Sequence, residues 1–391
     1  MRVLVSIFLH GFLLDALLSL AGEFLPIPAL HLVVAAMVFC TGLALCALAA
    51  FTPRVPRRLV LPPFLFLVWA DICGGFPLAF IAPHGFHTAL DCAQLLLAAS
   101  ILLWHRRWRR TPPELDAAAF SWARFASIAV PALLGLPLAV GAAAINATGA
   151  YIESSSGGYV KLRPEGLVLE ERTLTKDGKS VRLVSMMHIG EKTFYEHIRD
   201  SLPTDGAAIV LLEGVTDNNG LLKGRFSYAK IAKMLGLTPQ ESSRFQQEGK
   251  SSAKNSDPAS GKKSNVEYRY ADVDISIFQP LTLAFINSVG TILSDPTANT
   301  ILGTMRDPDS PFRQPGADEV VMHDILEKRN EHLVAEIDRA LETANTVIVP
   351  WGALHLSGIE SSLKERGFKE TGRVSRPIIH FWQDRTAAPA K

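Results

Sequence analysis

Two stretches of this chain, Leu30 to Phe51 and Phe125 to Ile145, carry no Asp, Glu, Lys or Arg, and each reaches the roughly 20 residues a helix needs to cross a bilayer. A helix that is apolar on every side belongs in lipid or in a large core. Three more runs follow the same pattern with one acid each: Val3 to Leu20 with Asp15, Leu59 to Ala82 with Asp71, and Thr88 to Trp104 with Asp91. The reading is a membrane module at 1–147 with about five transmembrane helices.

Charge separates this module from the remainder. Residues 1–145 hold 9 Lys and Arg against 6 Asp and Glu, while residues 146–391 hold 30 against 32. The second part, 148–391, therefore reads as a soluble domain. Arg54, Arg57 and Arg58 follow the second run, and Arg106, Arg107, Arg109 and Arg110 follow the fourth. Basic loops stay on the cytoplasmic side, which predicts a cytoplasmic N-terminus and a periplasmic or extracellular C-terminal domain. Ser19-Leu20-Ala21 before Gly22 also has the small-x-small form of a signal cleavage site, which would leave that orientation unchanged. The acids inside the runs read as packing or interhelical groups, with a proton or ion path as the alternative.

All four cysteines, Cys40, Cys46, Cys73 and Cys92, lie in the membrane module. The soluble domain thus has no disulfide framework, no C-x-x-C metal site and no cysteine nucleophile. The chain has no Walker loop, no G-x-G-x-x-G and no basic aromatic stripe, so nucleotide and nucleic-acid partners are disfavoured. Asn146-Ala147-Thr148 matches a glycosylation sequon but lies against the membrane.

In the soluble domain, strands alternate with helices after an opening hairpin, LVLEERTLT and SVRLVSMM around Asp177-Gly178. The pattern predicts a helix at 192–202, the strand AAIVLLEG, a helix near 228–235, and a strand VEYRYADVDISIF ending near Asp272 and Asp274. Residues 248–264 have no large apolar side chain and read as a mobile insertion. A low-order segment at 294–315 precedes a long helix at 317–344, then come the strand TVIVPWGAL, a helix at 358–366, and two closing strands, KETGRVS and PIIHFW. The class is α/β (α+β) with a central mixed sheet.

Three of these strands stop at a residue able to do chemistry: His188 in SMMHIG, Glu213 after AAIVLLE, and His355 in GALHLSG. In α/β sheets ligands bind beyond the carboxyl ends of the strands. Two imidazoles and a carboxylate are a common set for a catalytic divalent ion with an open water position. Without a metal, a histidine paired with a carboxylate serves as a general base. Other polar residues read more plainly: Glu191 and His197 as solvated helix residues, His323 as helix surface, His380 as a core or edge residue. Asp272 and Asp274 read as a strand-terminal turn, with secondary ligation as the alternative.

The order SMMHIG, LLE, ADVDI, a long helix bearing KRN at 328–330, and WGALHLSGI resembles the TraB/GumN family, which is related to the TIKI proteases, the erythromycin esterases and the ChaN-like proteins. The resemblance covers roughly 180–367. It implies the same domain fold and a site made of His188, Glu213, Arg329, Asn330, Gly352 and His355; by residue type, His188, Glu213 and His355 are the expected metal ligands of that site. It departs at Ser185, where the family has glycine, and a serine there is expected to narrow the pocket or alter its turn. The expected function is a membrane-anchored extracytoplasmic hydrolase, a peptidase using either a divalent ion or a His/Glu pair, with a peptide or protein substrate. A non-catalytic peptide- or ligand-binding signalling protein and a transporter with a regulatory soluble domain are the alternatives.

Overall fold

The structure, a computed structural model, describes residues 1–22, 28–78, 86–110, 120–202, 208–223, 227–242 and 266–382. By its contacts the chain divides into two compact units, Met1–Ala150 and Tyr151–Lys391. The expected insertion at 248–264 lies outside the described residues.

The first unit is helical. It holds α1 (Arg2–Gly22), α2 (Pro28–Phe51), α3 (Arg57–Leu67), which runs on into a π-helical turn at Val68–Ile72, α4 (Phe86–Arg110) and most of α5 (Trp122–Ser155). Among the described residues four helices, α1, α2, α4 and α5, are long and apolar enough to cross a membrane. The run expected at 59–82 is interrupted. Its helix stops after Ile72 because Gly74 and Gly75 turn the chain at φ +58° and +69°, a conformation that glycine adopts without strain and that ends helices. Val5, Phe8, Leu9 and Phe12 recur at helical spacing on α1 and are buried in one cluster with Val38 and Leu45 of α2 and Ala98 and Ile101 of α4. Gly42 allows α2 its close approach, since a Cβ there would come within 2.7 Å of both Phe8 and Phe64. Two acids join helices: Asp15 accepts from Gln94 at 2.9 Å, and Asp91 accepts from Ser19 at 2.9 Å.

The second unit is built on a seven-stranded mixed sheet. Its strands are β1 (Val160–Arg163), β2 (Gly166–Lys176), β3 (Lys179–Met186), β5 (Ala208–Leu212), β7 (Val266–Tyr270), β8 (Thr346–Gly352) and β9 (Lys369–His380); β4 (Ile189–Gly190) and β6 (Thr238–Pro239) form a separate small pair. β2 pairs antiparallel with β1, β3 and β9. β3, β8, β5 and β7 are adjacent in that order and all parallel. The parallel strands are nearly continuous apolar runs, as burial on both faces requires: every residue of β5 is buried, and only the ends of β8 are not.

The helices of this unit are α6 (Lys192–Asp200), α7 (Ala229–Met234), α8 (Pro280–Ser294), α9 (Ala298–Arg306), α10 (Ala317–Met322), α11 (Arg329–Thr343) and α12 (Ala353–Glu365). The core packs the sheet against Phe194 and Ile198 of α6, Leu333, Val334 and Ile337 of α11, and Leu356, Ile359 and Leu363 of α12. Between α10 and α11 the chain stays helical through a π-helical turn at His323–Lys328, so the expected long helix is present with one widened turn.

Three local expectations differ, and one helix stands where the sequence pattern predicts no element. The strand ending in ADVDISIF stops at Tyr270, because Asp274 turns the chain by accepting from the backbone of Ser276 and Asn218. The segment 294–315 contains α9, capped by Thr297, whose hydroxyl accepts from the Thr300 amide. The apolar stretch 280–294 forms α8, with Pro280 in its first turn, where a missing amide proton costs nothing. The two closing strands are one: β9 continues through Pro377 with a register shift, which an edge strand tolerates.

Candidate functional site

Adjacent parallel strands bring their carboxyl ends to one side of the sheet, and each of the four delivers one polar group there. His188 follows β3, Glu213 follows β5, Asp272 follows β7, and His355 lies in the first turn of α12 just after β8. Arg329 opens α11, directly after the π-helical turn. Such turns are frequent at functional sites because they shift the side chains that follow. This one is held by the fully buried Asp324, which accepts from Thr282 Oγ1 at 2.6 Å and the Gln279 amide at 2.7 Å and pairs with Lys328 at 2.6 Å.

The guanidinium of Arg329 ties the strand ends together. Nε donates to Asp272 Oδ1 at 2.9 Å, and Nη2 donates to Asp272 Oδ2 at 2.7 Å and to Glu213 Oε1 at 2.9 Å. Nη1 donates to His355 Nε2 at 3.1 Å. Burial works against the arginine's charge, but the bonds to Asp272 and Glu213 outweigh it and raise its pKa further. A guanidinium has five N–H groups. One Nη1 proton therefore has no acceptor among the described residues. Both carboxylates are also held by backbone amides: Gly352 donates to Glu213 Oε2 at 2.7 Å, at the N-terminus of α12, and Gly214 donates to Asp272 Oδ2 at 2.9 Å.

His355 is fixed in one tautomer. An arginine only donates, so Nε2 accepts, and Nδ1 must carry the proton it gives to Asn330 Oδ1 at 2.8 Å. Asn330 Nδ2 returns a bond to the His355 carbonyl at 3.3 Å. Burial, and then the Arg329 cation, depress the His355 pKa to about 4. Trp351, fully buried, packs edge-on to His355 with ring centroids 5.3 Å apart, lies 5.2 Å from the Arg329 guanidinium, and donates to the Leu211 carbonyl at 3.0 Å.

Glu213 and Arg329 open onto a pocket of about 440 Å³ whose lining also includes His188, Tyr228, Gln240, Glu241 and a set of apolar side chains. That volume lies within the range of small-molecule sites. His188 is exposed there and stacks on Tyr228 at 4.5 Å, with the rings 15° from parallel. Its carbonyl accepts from the Gln240 amide at 2.8 Å, while its ring nitrogens make no hydrogen bond among the described residues. His355 does not line the pocket. It stands behind Arg329, 3.8 Å from Glu213.

This arrangement does not fit a divalent ion on His188, Glu213 and His355. Both His355 nitrogens and both Glu213 oxygens are engaged, and the Arg329 cation sits between the two side chains. Among the described residues no group of three His, Cys, Asp or Glu side chains is placed to hold a metal. Arg329 and Asn330, known from the resemblance alone, stand at the centre of the network. Asp272, weighed as a turn residue, is its principal anion. Sequence reasoning missed Tyr228 and Trp351; Trp351 opens the motif WGALHLSGI, whereas no motif adjoins Tyr228. Ser185 does not narrow the pocket, because it is buried in β3 with its hydroxyl donating to the Glu170 carbonyl. Glu191 is not solvated: it accepts from the amide and Nδ1 of His380, each at 2.7 Å. His197 and His323 are exposed. No family model, curated protein or solved structure matches the chain.

Proposed function

We propose that this chain is a membrane-anchored hydrolase of the TraB/GumN type whose catalytic domain lies outside the cytoplasm and uses a His/Glu/Arg site without a metal. The observation that supports this most is the meeting of His188, Glu213 and Arg329 in one pocket wall. In the reaction, His188 takes a proton from water as the water oxygen bonds to the substrate's carbonyl carbon. The remaining Nη1 proton of Arg329 donates to the carbonyl oxygen as it gains charge, a role that preorganised donors fill well in a site partly closed to water. His188 then returns its proton to the leaving group as the old bond breaks. Asp272, Glu213 and His355 are positioning residues that hold the guanidinium.

The test is hydrolysis of ester and peptide substrates by the full chain, with and without a chelator. Turnover that survives chelation and is lost in His188→Ala supports the reading, whereas chelator-sensitive turnover returns the ion-based scheme. Binding without turnover would favour a ligand-binding protein, a reading that the complete pairing of Glu213 also suits.

A further inference from the structure

The pocket is divided by polarity. Its polar lining is tied together next to the strand ends: Glu213 with Arg329, His188 stacked on Tyr228, and Gln240 bonded through its amide to His188. The other walls are apolar, with Phe285, Ile286 and Val289 from α8, Ile275 and Phe278 from the segment after β7, and Ile325 from the π-helical turn. Ile286 also packs against the small cluster formed by Val273, Ile275 and Phe278. α8 is a continuous apolar helix.

Two physical arguments select the ligand. An extended peptide buried against these walls would leave its amides without partners, and each unpaired amide is costly, whereas a methylene chain has nothing to pair. At the polar end two carboxylates, Glu213 and Asp272, face one guanidinium, and Glu241 adds another carboxylate to the lining, so a further anion is disfavoured and a neutral carbonyl is accepted. We infer that the site binds a neutral ester of a straight-chain acid, its alkyl chain along α8 and its carbonyl at Arg329 and His188. This rests on the hydrolase reading for the chemistry and deepens it by naming the substrate class. Water adds to the acyl carbon, the ester C–O bond breaks, the alcohol leaves with the proton held by His188, and the product is a carboxylic acid. Once ionised, that product is repelled by the same two carboxylates, which favours its release.

The experiment uses the full chain in lipid nanodiscs, with empty nanodiscs as the blank. Hydrolysis of p-nitrophenyl esters and binding of straight-chain methyl ketones, which mimic the ester but cannot be hydrolysed, are measured as the chain is lengthened. The expected result is a rise in kcat/KM and in ketone affinity of about threefold to fourfold per methylene until the pocket is full. Ketones should bind more tightly than carboxylates of equal length. Val289→Phe, which adds bulk to the apolar wall, should move the optimum of both hydrolysis and ketone binding to shorter chains; an optimum that does not move would count against the alkyl chain lying along α8. Chain-length-dependent ketone binding with no ester hydrolysis would keep the ligand class and remove the hydrolase reading. Hydrolysis indifferent to chain length, preference for carboxylates or apolar peptides, or no binding at all would overturn the inference.

Discussion

Arg329 donates Nη1 to Nε2 of His355 at 3.1 Å, so the histidine nearest the centre of the network is an acceptor held neutral and cannot act as the base. In the proposed reaction the base is therefore His188, which lines the pocket, and the two histidines singled out by similar sequence contexts have different surroundings.

The pH dependence of stability follows from this pair. Folded His355 stays neutral down to about pH 4, whereas in the unfolded chain it takes up its proton near pH 6.5. Between those values the unfolded state binds the extra proton, so the contribution is complete above pH 6.5 and is lost as the pH falls to about 4. The expected loss is up to about 3 kcal/mol. Thermal unfolding at pH 7.5 and 4.5 should show a drop that is clearly smaller in His355→Gln; equal drops in the two proteins would contradict the assignment.

Asp272→Asn should be the most damaging change at the site. Its carboxylate is fully buried and takes two bonds from Arg329, and breaking a buried pair on one side typically costs about 3–5 kcal/mol. A variant that unfolds within about 1 kcal/mol of the parent would show that the ion pair is not closed as described.

His188→Ala should leave the melting temperature nearly unchanged, because the ring is exposed and contributes one stacking contact with Tyr228. Turnover should fall at least about 100-fold, the usual scale for removing a general base. Retained turnover would move the base elsewhere.

Gly358→Ala tests the positioning of His355. A Cβ at Gly358 would come within 2.7 Å of Asn330 Nδ2, so Asn330 must swing away from His355 even though alanine favours the helix by about 1 kcal/mol. The expected outcome is lower kcat with stability unchanged or lower by about 1–2 kcal/mol, since the helix gain only partly offsets the lost bonds to buried His355, measured by steady-state kinetics beside thermal unfolding. Unchanged kcat would show that the Asn330 contact does not matter to the site.

Ser185→Gly is expected to cost about 1–3 kcal/mol without raising activity, since it removes a buried hydrogen bond to Glu170 and puts glycine inside a strand. A gain in turnover would bring back the view that the serine crowds the pocket.

The sequence by itself determined four of the five expected apolar helices, the alternation of strands and helices, and the placement of His188, Glu213 and His355 at strand ends. These follow from local properties, namely the length of an uncharged run, the period of apolar residues, and the point where a buried run meets a polar residue. It did not determine which strands are neighbours. β8, late in the chain, inserts between β3 and β5, and that insertion carries His355 to Glu213. Nor could it reveal that Arg329 reaches Asp272 across 57 positions, which turned a turn aspartate into the main counterion and a presumed ligand histidine into a prop for an arginine. α8 has a related reason: its polar side chains, Asn287, Thr291 and Ser294 among them, are small and uncharged, so its helical period is faint, and its packing over the pocket gives it a place. Pattern reports the burial of each segment, whereas pairing across the sheet depends on contacts between distant residues that no single segment encodes.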